Sequence, residues 1–369
     1  MIFAHISDLH LAKRVNGYSM LEDQQHILNE IMDILTLNGA EALLIAGDIY
    51  DKAQPPAEAV RMFDDFIYNL HDRKIKVFAI SGNHDSADRI AYGARLFENN
   101  GVYVSPAFDG SIKSVLLSDD YGPIKVYLIP YLRPSEVKRF FPDCEINGSE
   151  AAVKTVIDNE NIDVSIRNIA VSHQFVTGAA TCESEEMTIG GQENISADVF
   201  NKFDYTALGH IHGPQNIIEN KIRYSGTPLK YSFSEANHKK SVTIVDIGKK
   251  GEVKTKTCPL TPLRDMRVLK GGFEELSKGF SEDYLHVILT EKTPIPDAFR
   301  RLMLYYPNIM KLTYENIQAA CFFNMGDMAK KRGDYELADD FFYEMNGKKM
   351  SEKQSDYIKK TLTELRDKK

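Results

Sequence analysis

Little in this chain ties it to a membrane, to a disulfide framework or to a general polyanion surface. No run approaches the roughly 18 consecutive apolar residues that cross a bilayer, and the opening MIFAHISDLHLAK lacks both the basic and the extended apolar region of a secretion signal. A cytoplasmic location without a membrane partner is the expectation. Four cysteines (Cys144, Cys182, Cys258, Cys321) are scattered without C-x-x-C spacing, which argues against a cysteine–zinc site or a disulfide scaffold and for reduced thiols. An excess of basic charge is missing as well. With 45 Lys+Arg against 53 Asp+Glu the net charge is −8, so nothing global attracts nucleic acid or anionic lipid, and any such contact must be local. There is no internal repeat and no low-complexity segment. The 43% hydrophobic and 27% charged content is that of an ordinary globular protein, and 369 residues exceed what one core usually serves, so two domains with a small appendage are expected.

What is present is a regular alternation of strands and helices. Apolar, β-branched runs predict strands at 2–7, 42–47, 76–81, 125–131, 168–173, 205–210, 222–226 and 241–247. Apolar residues near a 3.6 spacing predict helices over 20–37 (Leu21, Ile27, Ile31, Ile34, Leu35) and 57–72 (Val60, Phe63, Ile67, Leu70). The alternation implies an α/β fold to about residue 245. CPLTPLRD (258–265) reads as a linker, and residues 265–315 then read strand, helix, strand, helix, strand, a small α+β unit. The tail 334–369 reads as two helices around NGKKMS, with Ser351 and Gln354 forming a capping box. The expected division is 1–257, 258–325 and 326–369.

The chemistry collects at strand ends. Five apolar strands terminate in SDLH (Asp8, His10), GDIYD (Asp48, Asp51), GNHD (Asn83, His84, Asp85), SH (His173) and GHIH (His210, His212). Each alone is weak, because an Asp after a strand is usually a turn residue and a lone His is usually a satisfied core or surface group. Together they are not. Of ten histidines, six lie in or against these strands: those five and His5. If the strands share one sheet, their carboxyl ends meet on one rim, where ligands of open α/β sheets bind. The clustered carboxylates would repel one another unless a cation held them. Carboxylate, imidazole and amide-oxygen donors without thiolate suit Mn, Fe or Zn. Seven candidate ligands (Asp8, His10, Asp48, Asn83, His173, His210, His212) are too many for one open catalytic ion and sensible for two sharing a carboxylate. A two-ion pair stabilises the attacking and leaving oxygens of an in-line phosphoryl displacement, so phosphoester hydrolysis is the expected reaction.

In this order D-x-H, G-D-x-x-D, G-N-H-D, a strand-end His and G-H-x-H resemble the calcineurin-like metallophosphoesterase superfamily. A closer resemblance, to its Mre-type repair nucleases, rests on ISDLHL, AGDIYDKAQPP, SGNHDSADR, FDYTALGHIHGPQ and IRYSGTPLKYSFSE, and it extends over nearly the whole chain. The resemblance implies a metallophosphoesterase-type β-sandwich flanked by helices, a smaller α+β capping domain and C-terminal helices. It implies that Asp8, His10 and His212 hold one divalent ion, most simply Mn, that Asn83, His173 and His210 hold the other, and that Asp48 bridges them. His84 would be the general acid, oriented by Asp85, with Asp51 a structural buttress. Ser172 stands where many relatives have Gly, which leaves the ligand His173 intact. Arg223, Lys230 and Tyr231 could touch DNA phosphates. Helices 20–37 and 57–70 resemble a homodimer interface, and the C-terminal helices resemble a dock for an ABC-type ATPase within a heterotetramer. The implied activity is 3′-to-5′ exonuclease action on duplex ends and endonuclease action on single strands or hairpins, in DNA repair, recombination and replication. The alternative with the same metals is a phosphoesterase acting on a small nucleotide or a phosphoprotein.

Overall fold

In this computed structural model the described residues are 1–185, 194–315, 323–324, 335 and 350–366. The chain divides into two compact units, Met1–Val268 and Leu269–Lys369. That division falls later than the expected 257/258, for a physical reason. Residues 258 and 259 still belong to strand Val253–Pro259, which pairs antiparallel with Ser241–Ile247 as far as Ser241↔Pro259.

The first unit is a sandwich of two six-stranded sheets. One runs, in spatial order, Val253–Pro259, Ser241–Ile247, Ile2–Ile6, Ala42–Ala46, Lys76–Ile80, Val102–Val104. The other runs Gln215–Ile218, Ile222–Tyr224, Tyr205–Gly209, Arg167–His173, Gly122–Ile129, Lys113–Asp119. Their facing sides are apolar at alternate positions, and Phe3, Leu44, Phe78, Val126, Ile169 and Val245 are among the side chains that fuse into one buried layer. Because water is excluded there, the layer fixes the register of the strands and therefore where each strand ends. Helix Ala57–Asp72 packs on strand Lys76–Ile80 and beside helix Leu21–Leu37. It buries Ala59, Met62, Phe66 and Leu70 rather than the expected stripe through Val60, which is left 44% exposed. Behind the second sheet, helix Ser149–Asn159 buries Ala152, Val153, Val156 and Ile157 in a separate cluster with Tyr127, Phe200 and Tyr224.

The rim that matters is shared by both sheets. Strands Ile2–Ile6, Ala42–Ala46 and Lys76–Ile80 run parallel in the first sheet, and Arg167–His173 and Tyr205–Gly209 run parallel in the second, with Gly209 opposite His173. The expectation of a single sheet is thus corrected: three of the five polar strand ends come from one sheet and two from the other. Sandwich packing brings all five to one edge.

The second unit contains strands Met266–Gly271, Tyr284–Leu289, Ile309–Tyr314 and Phe323–Asn324 in that spatial order, with short helices Phe273–Leu276 and Ala298–Met303. The strand, helix, strand, helix, strand reading of 265–315 is what is observed. Leu285, Val287, Leu289, Leu302, Ile309 and Leu312 form its core. Helix Glu352–Arg366 begins just after Ser351, whose N–H donates to the Gln354 Oε1 at 3.0 Å, the reciprocal half of a capping box. The first expected tail helix falls almost wholly outside the described residues, as does Cys321; Cys144, Cys182 and Cys258 are free. Among the described residues no helix is long and apolar enough to cross a membrane.

Candidate metal centre

All seven candidate ligands gather in one cluster, and six of them (Asp8, His10, Asp48, His173, His210, His212) are buried. Strand ends bring them there through tight turns. Asp8, His10, Asp48 and His210 have φ of 53°, 45°, 49° and 99°, in the left-handed region that non-glycine residues seldom occupy. Backbone bonds across the two loops hold the turns: Asp8 N–H donates to the Gly47 carbonyl at 3.0 Å, and His10 N–H to the Asp48 carbonyl at 3.0 Å. Approach is so close that glycine is required at two neighbouring positions. A Cβ at Gly82 would collide with the Asp48 carboxylate, and one at Gly209 with the Ala46 carbonyl and the His173 ring.

Ligand-sized gaps separate the donor atoms. Asp8, His10 and His212 form one group, and Asp8, Asp48 and His173 another, each with its donor atoms within 4.8 Å of one another. Asn83 Oδ1 lies 2.9 Å from His173 Nε2 and 3.1 Å from His210 Nδ1. His10 Nε2 lies 3.2 Å from His212 Nε2.

The hydrogen bonds around the rings show what these gaps are for. The Ala46 carbonyl, 2.8 Å from His173 Nδ1, can only accept, so that nitrogen carries the proton and Nε2 presents a lone pair. That lone pair faces the Asn83 amide oxygen and the Asp48 Oδ2 at 3.4 Å, which are acceptors too. Ser184 gives its hydroxyl proton to Glu235 at 2.5 Å and therefore accepts from His212 Nδ1 at 2.7 Å, so His212 likewise presents Nε2. Acceptors converging on acceptors repel unless a cation lies among them, and the residues present fit divalent ions on that ground.

Without metal, protons take that role unevenly. Burial disfavours charge on His173, but the charge and hydrogen bond of Asp48 outweigh it and push the imidazole up to about 9. His212 also reaches about 9 against burial, through the side chains of Cys182 and Glu235 and the charge of Asp8. Burial holds His210 down to about 3 and His10 well below its ordinary value. Burial raises Asp8, whereas Asp48 is held low, against burial, by His173.

Residues flanking the cluster take roles that their sequence positions concealed. Asp85, expected to orient His84, does not: its two carboxylate oxygens accept from the N–H groups of Ile49 (3.1 Å), Tyr50 (2.9 Å) and Gly82 (3.0 Å). It clamps the 47–51 loop to the 81–85 loop, and three donors leave it no use as an imidazole partner. His84 is instead held by its own N–H, which donates to Asp48 Oδ1 at 2.9 Å, and by the Asp51 carbonyl 3.3 Å from its Nδ1. Asp51 is the buttress it was expected to be, paired with Lys13 at 2.7 Å and 3.8 Å from His10 Nδ1.

None of the three expected DNA contacts reaches the cluster with a free polar group. Tyr231 is buried, its hydroxyl donating to the Leu9 carbonyl at 2.6 Å and accepting from Gln24 at 2.9 Å. Lys230 is held by the Ala236 carbonyl at 2.7 Å and by Asp265 at 2.8 Å. Arg223 is buried in its strand, bonded to Thr243 at 3.0 Å and Asn216 at 2.6 Å. The segment 223–235 is instead the site's inner brace. Its Glu235 is fully buried, ion-paired with Lys240, and Lys240 also donates to the His212 carbonyl at 2.9 Å. Sequence reading missed Ser184, Glu235 and Lys240; the one available signal was the Glu–Lys pair five residues apart directly after a ligand strand.

Comparison with known proteins agrees with this geometry. Residues 1–214 match the model of the calcineurin-like phosphoesterases, and residues 262–346 match a model described as a type 5 capsule protein repressor C-terminal domain. The chain belongs to the calcineurin-like phosphoesterase family and is a metal-dependent phosphodiesterase. It is 32% identical over 376 aligned positions to the SbcD component of nuclease SbcCD from Staphylococcus epidermidis, covering 100% of this chain and 99% of that one. To the protein of the same name from Staphylococcus saprophyticus subsp. saprophyticus it is 33% identical, over 99% and 98% of the two chains. These full-length likenesses place it among the SbcD nuclease proteins. A solved dimetal phosphatase from Danio rerio shares 13% identity with a TM-score of 0.45 over 71% of this chain and 98% of its own, too weak a likeness to bear on the site.

Proposed function

We propose that the chain is a two-metal DNA nuclease that shortens duplex ends 3′ to 5′ and opens single strands or hairpins, acting with an SbcC-type ABC ATPase in DNA end processing. One observation carries the reading: donors from five strand ends of two sheets converge in one cluster, with lone pairs of His173 and His212 aimed at other acceptors. Asp8, His10 and His212 would hold one ion, Asn83, His173 and His210 the second, and Asp48 would reach both. The donor set suits Mn and also accepts Fe or Zn. When bound, such a pair supplies Lewis acidity and a water acidic enough to attack phosphorus in line.

The chain's own residues do the rest. Asp85 keeps the Asp48 and Asn83 loops in register, and the Ala46 carbonyl and Ser184 fix the tautomers of His173 and His212. His84 sits at the edge of the cluster, its side chain 13% exposed and its ring 4.8 Å from that of His10. With Nδ1 turned to the Asp51 carbonyl, Nε2 is the nitrogen that would pass a proton to the departing ribose oxygen. The full-length match to SbcD proteins supports DNA as substrate, an SbcC-type partner, a homodimer within a heterotetramer and a cytoplasmic setting.

The test is manganese-dependent release of nucleotides from linear duplex DNA by the purified chain. Wild type is expected to release them, and His84→Gln is expected to retain metal while losing about 100-fold or more in rate. Hydrolysis confined to cyclic nucleotides or phosphopeptides would overturn the DNA assignment.

A further inference from the structure

Behind the His212 turn, on the side of the edge strand Val253–Pro259, lies a cavity of about 420 Å³. This lies within the size range of small-molecule sites. Its charge is one-sided. Arg223, His238 and Lys239 line it, and its described lining contains no carboxylate. Lys240 also lines it but is already neutralised by Glu235. The other three have capacity left. Arg223 uses Nε and Nη1 on Thr243 and Asn216, leaving Nη2 without a partner among the described residues. Lys239 is exposed and makes no hydrogen bond or ion pair with the described residues. His238 Nδ1 is buried without a hydrogen-bond partner, 4.0 Å from Glu235 Oε2. Hydroxyls of Thr181 and Thr257 and the apolar faces of Pro214 and Pro259 complete the walls.

We propose that this cavity is an anion site, separate from the metal cluster, that takes the phosphate of a small phosphate monoester. A guanidinium edge, an ammonium and an imidazole on one side of a concave wall supply charge-assisted donors for phosphate oxygens. The proline faces opposite offer an apolar surface to the rest of an ester. The wall is also continuous with the metal cluster. Gln215 ties Ala180 to the turn after His212, accepting from its N–H at 2.8 Å and donating to its carbonyl at 2.9 Å, and four residues on from Ala180, Ser184 holds His212. The inference goes beyond the nuclease reading and does not depend on it.

Titration calorimetry on the full chain, stripped of metal by chelation, tests it with inorganic phosphate and adenosine 5′-monophosphate as separate probes. Saturable one-to-one binding is expected, weakened about tenfold or more in Lys239→Glu and in Arg223→Met, with circular dichroism verifying that each variant is folded. Lys239 is exposed and unbonded, so its variant keeps the test decisive if Arg223→Met does not fold. Tighter binding of the nucleotide identifies an ester as the ligand, and equal affinity identifies free phosphate. Absence of saturable binding by wild type, or binding unchanged in Lys239→Glu, overturns the proposal. Because no metal or turnover is involved, a failure to cut DNA leaves this result untouched.

Discussion

Asn83, His84 and Asp85 are neighbours in the chain and face three different ways. Asn83 turns its amide oxygen to His173 and His210, His84 stands at the edge of the cluster, and Asp85 points back into the loops. Their substitutions should therefore separate. On the proposed ligand assignment, Asn83→Ala lowers bound manganese from two equivalents toward one by elemental analysis, whereas His84→Gln keeps both. Asp85→Ala strands three N–H groups, one of them on Gly82 beside the Asp48 carboxylate. It should cost at least about 1–3 kcal/mol in urea denaturation and loosen metal as well. If Asp85→Ala slowed cleavage with stability and metal content unchanged, the clamp role would be wrong. The adjacency of the triplet was legible in the sequence, as were all seven clustered residues, because ligands that follow apolar strands announce themselves by position. The clamp was not, because the groups that Asp85 serves at Ile49 and Tyr50 lie about 35 residues earlier and meet it only after two parallel strands have paired.

At the scale of elements, the strands that sequence reading found are central ones with two apolar faces, such as Ala42–Ala46, buried throughout. Those it passed over are edge strands. Val253–Pro259, VKTKTCP, alternates charge with partly buried positions and buries none fully, so its composition resembles a loop. The brace formed by residues 223–240 was legible as a polar segment but not as an interior one, because burial of Glu235 and Lys240 depends on each neutralising the other. Glu235→Ala should leave Lys240 buried without its partner, costing about 3–5 kcal/mol in chemical denaturation. It should also weaken metal binding about 10–100-fold by freeing His212.

His5 joins the two sheets. Its Nε2 donates to the Leu208 carbonyl at 3.1 Å and its Nδ1 accepts from the Tyr205 hydroxyl at 3.0 Å, a pairing that satisfies the neutral ring. Burial first, and then the charge of Arg223, lowers it from 6.5 to about 3. Below pH 6.5 the unfolded chain takes up a proton that the folded chain refuses. Stability is therefore complete above that value and falls as pH drops toward about 3, by about 1.4 kcal/mol per unit. Between pH 7.5 and pH 5, wild type should lose roughly 2 kcal/mol more than His5→Gln in urea denaturation. Equal losses would show that His5 is charged in the folded protein.

For the whole molecule, the account rests on the sandwich edge as a metal-holding frame with a surplus of negative charge. Two carboxylates and four imidazoles are buried together there, so ions that bind only the folded chain must stabilise it. At a free concentration 100 times the dissociation constant the gain is about 2.7 kcal/mol per ion. Chelation should thus lower the melting temperature, and manganese should restore it. The small unit Leu269–Lys369 contributes no described residue to the cluster, in keeping with a sequence whose chemistry ends at His212. The most direct measurement is anomalous scattering from crystals grown with manganese. The account predicts two peaks in the cluster, one against Asp8, His10 and His212, the other against Asn83, His173 and His210, with Asp48 reaching both. A single peak, or none among these seven residues, would contradict it.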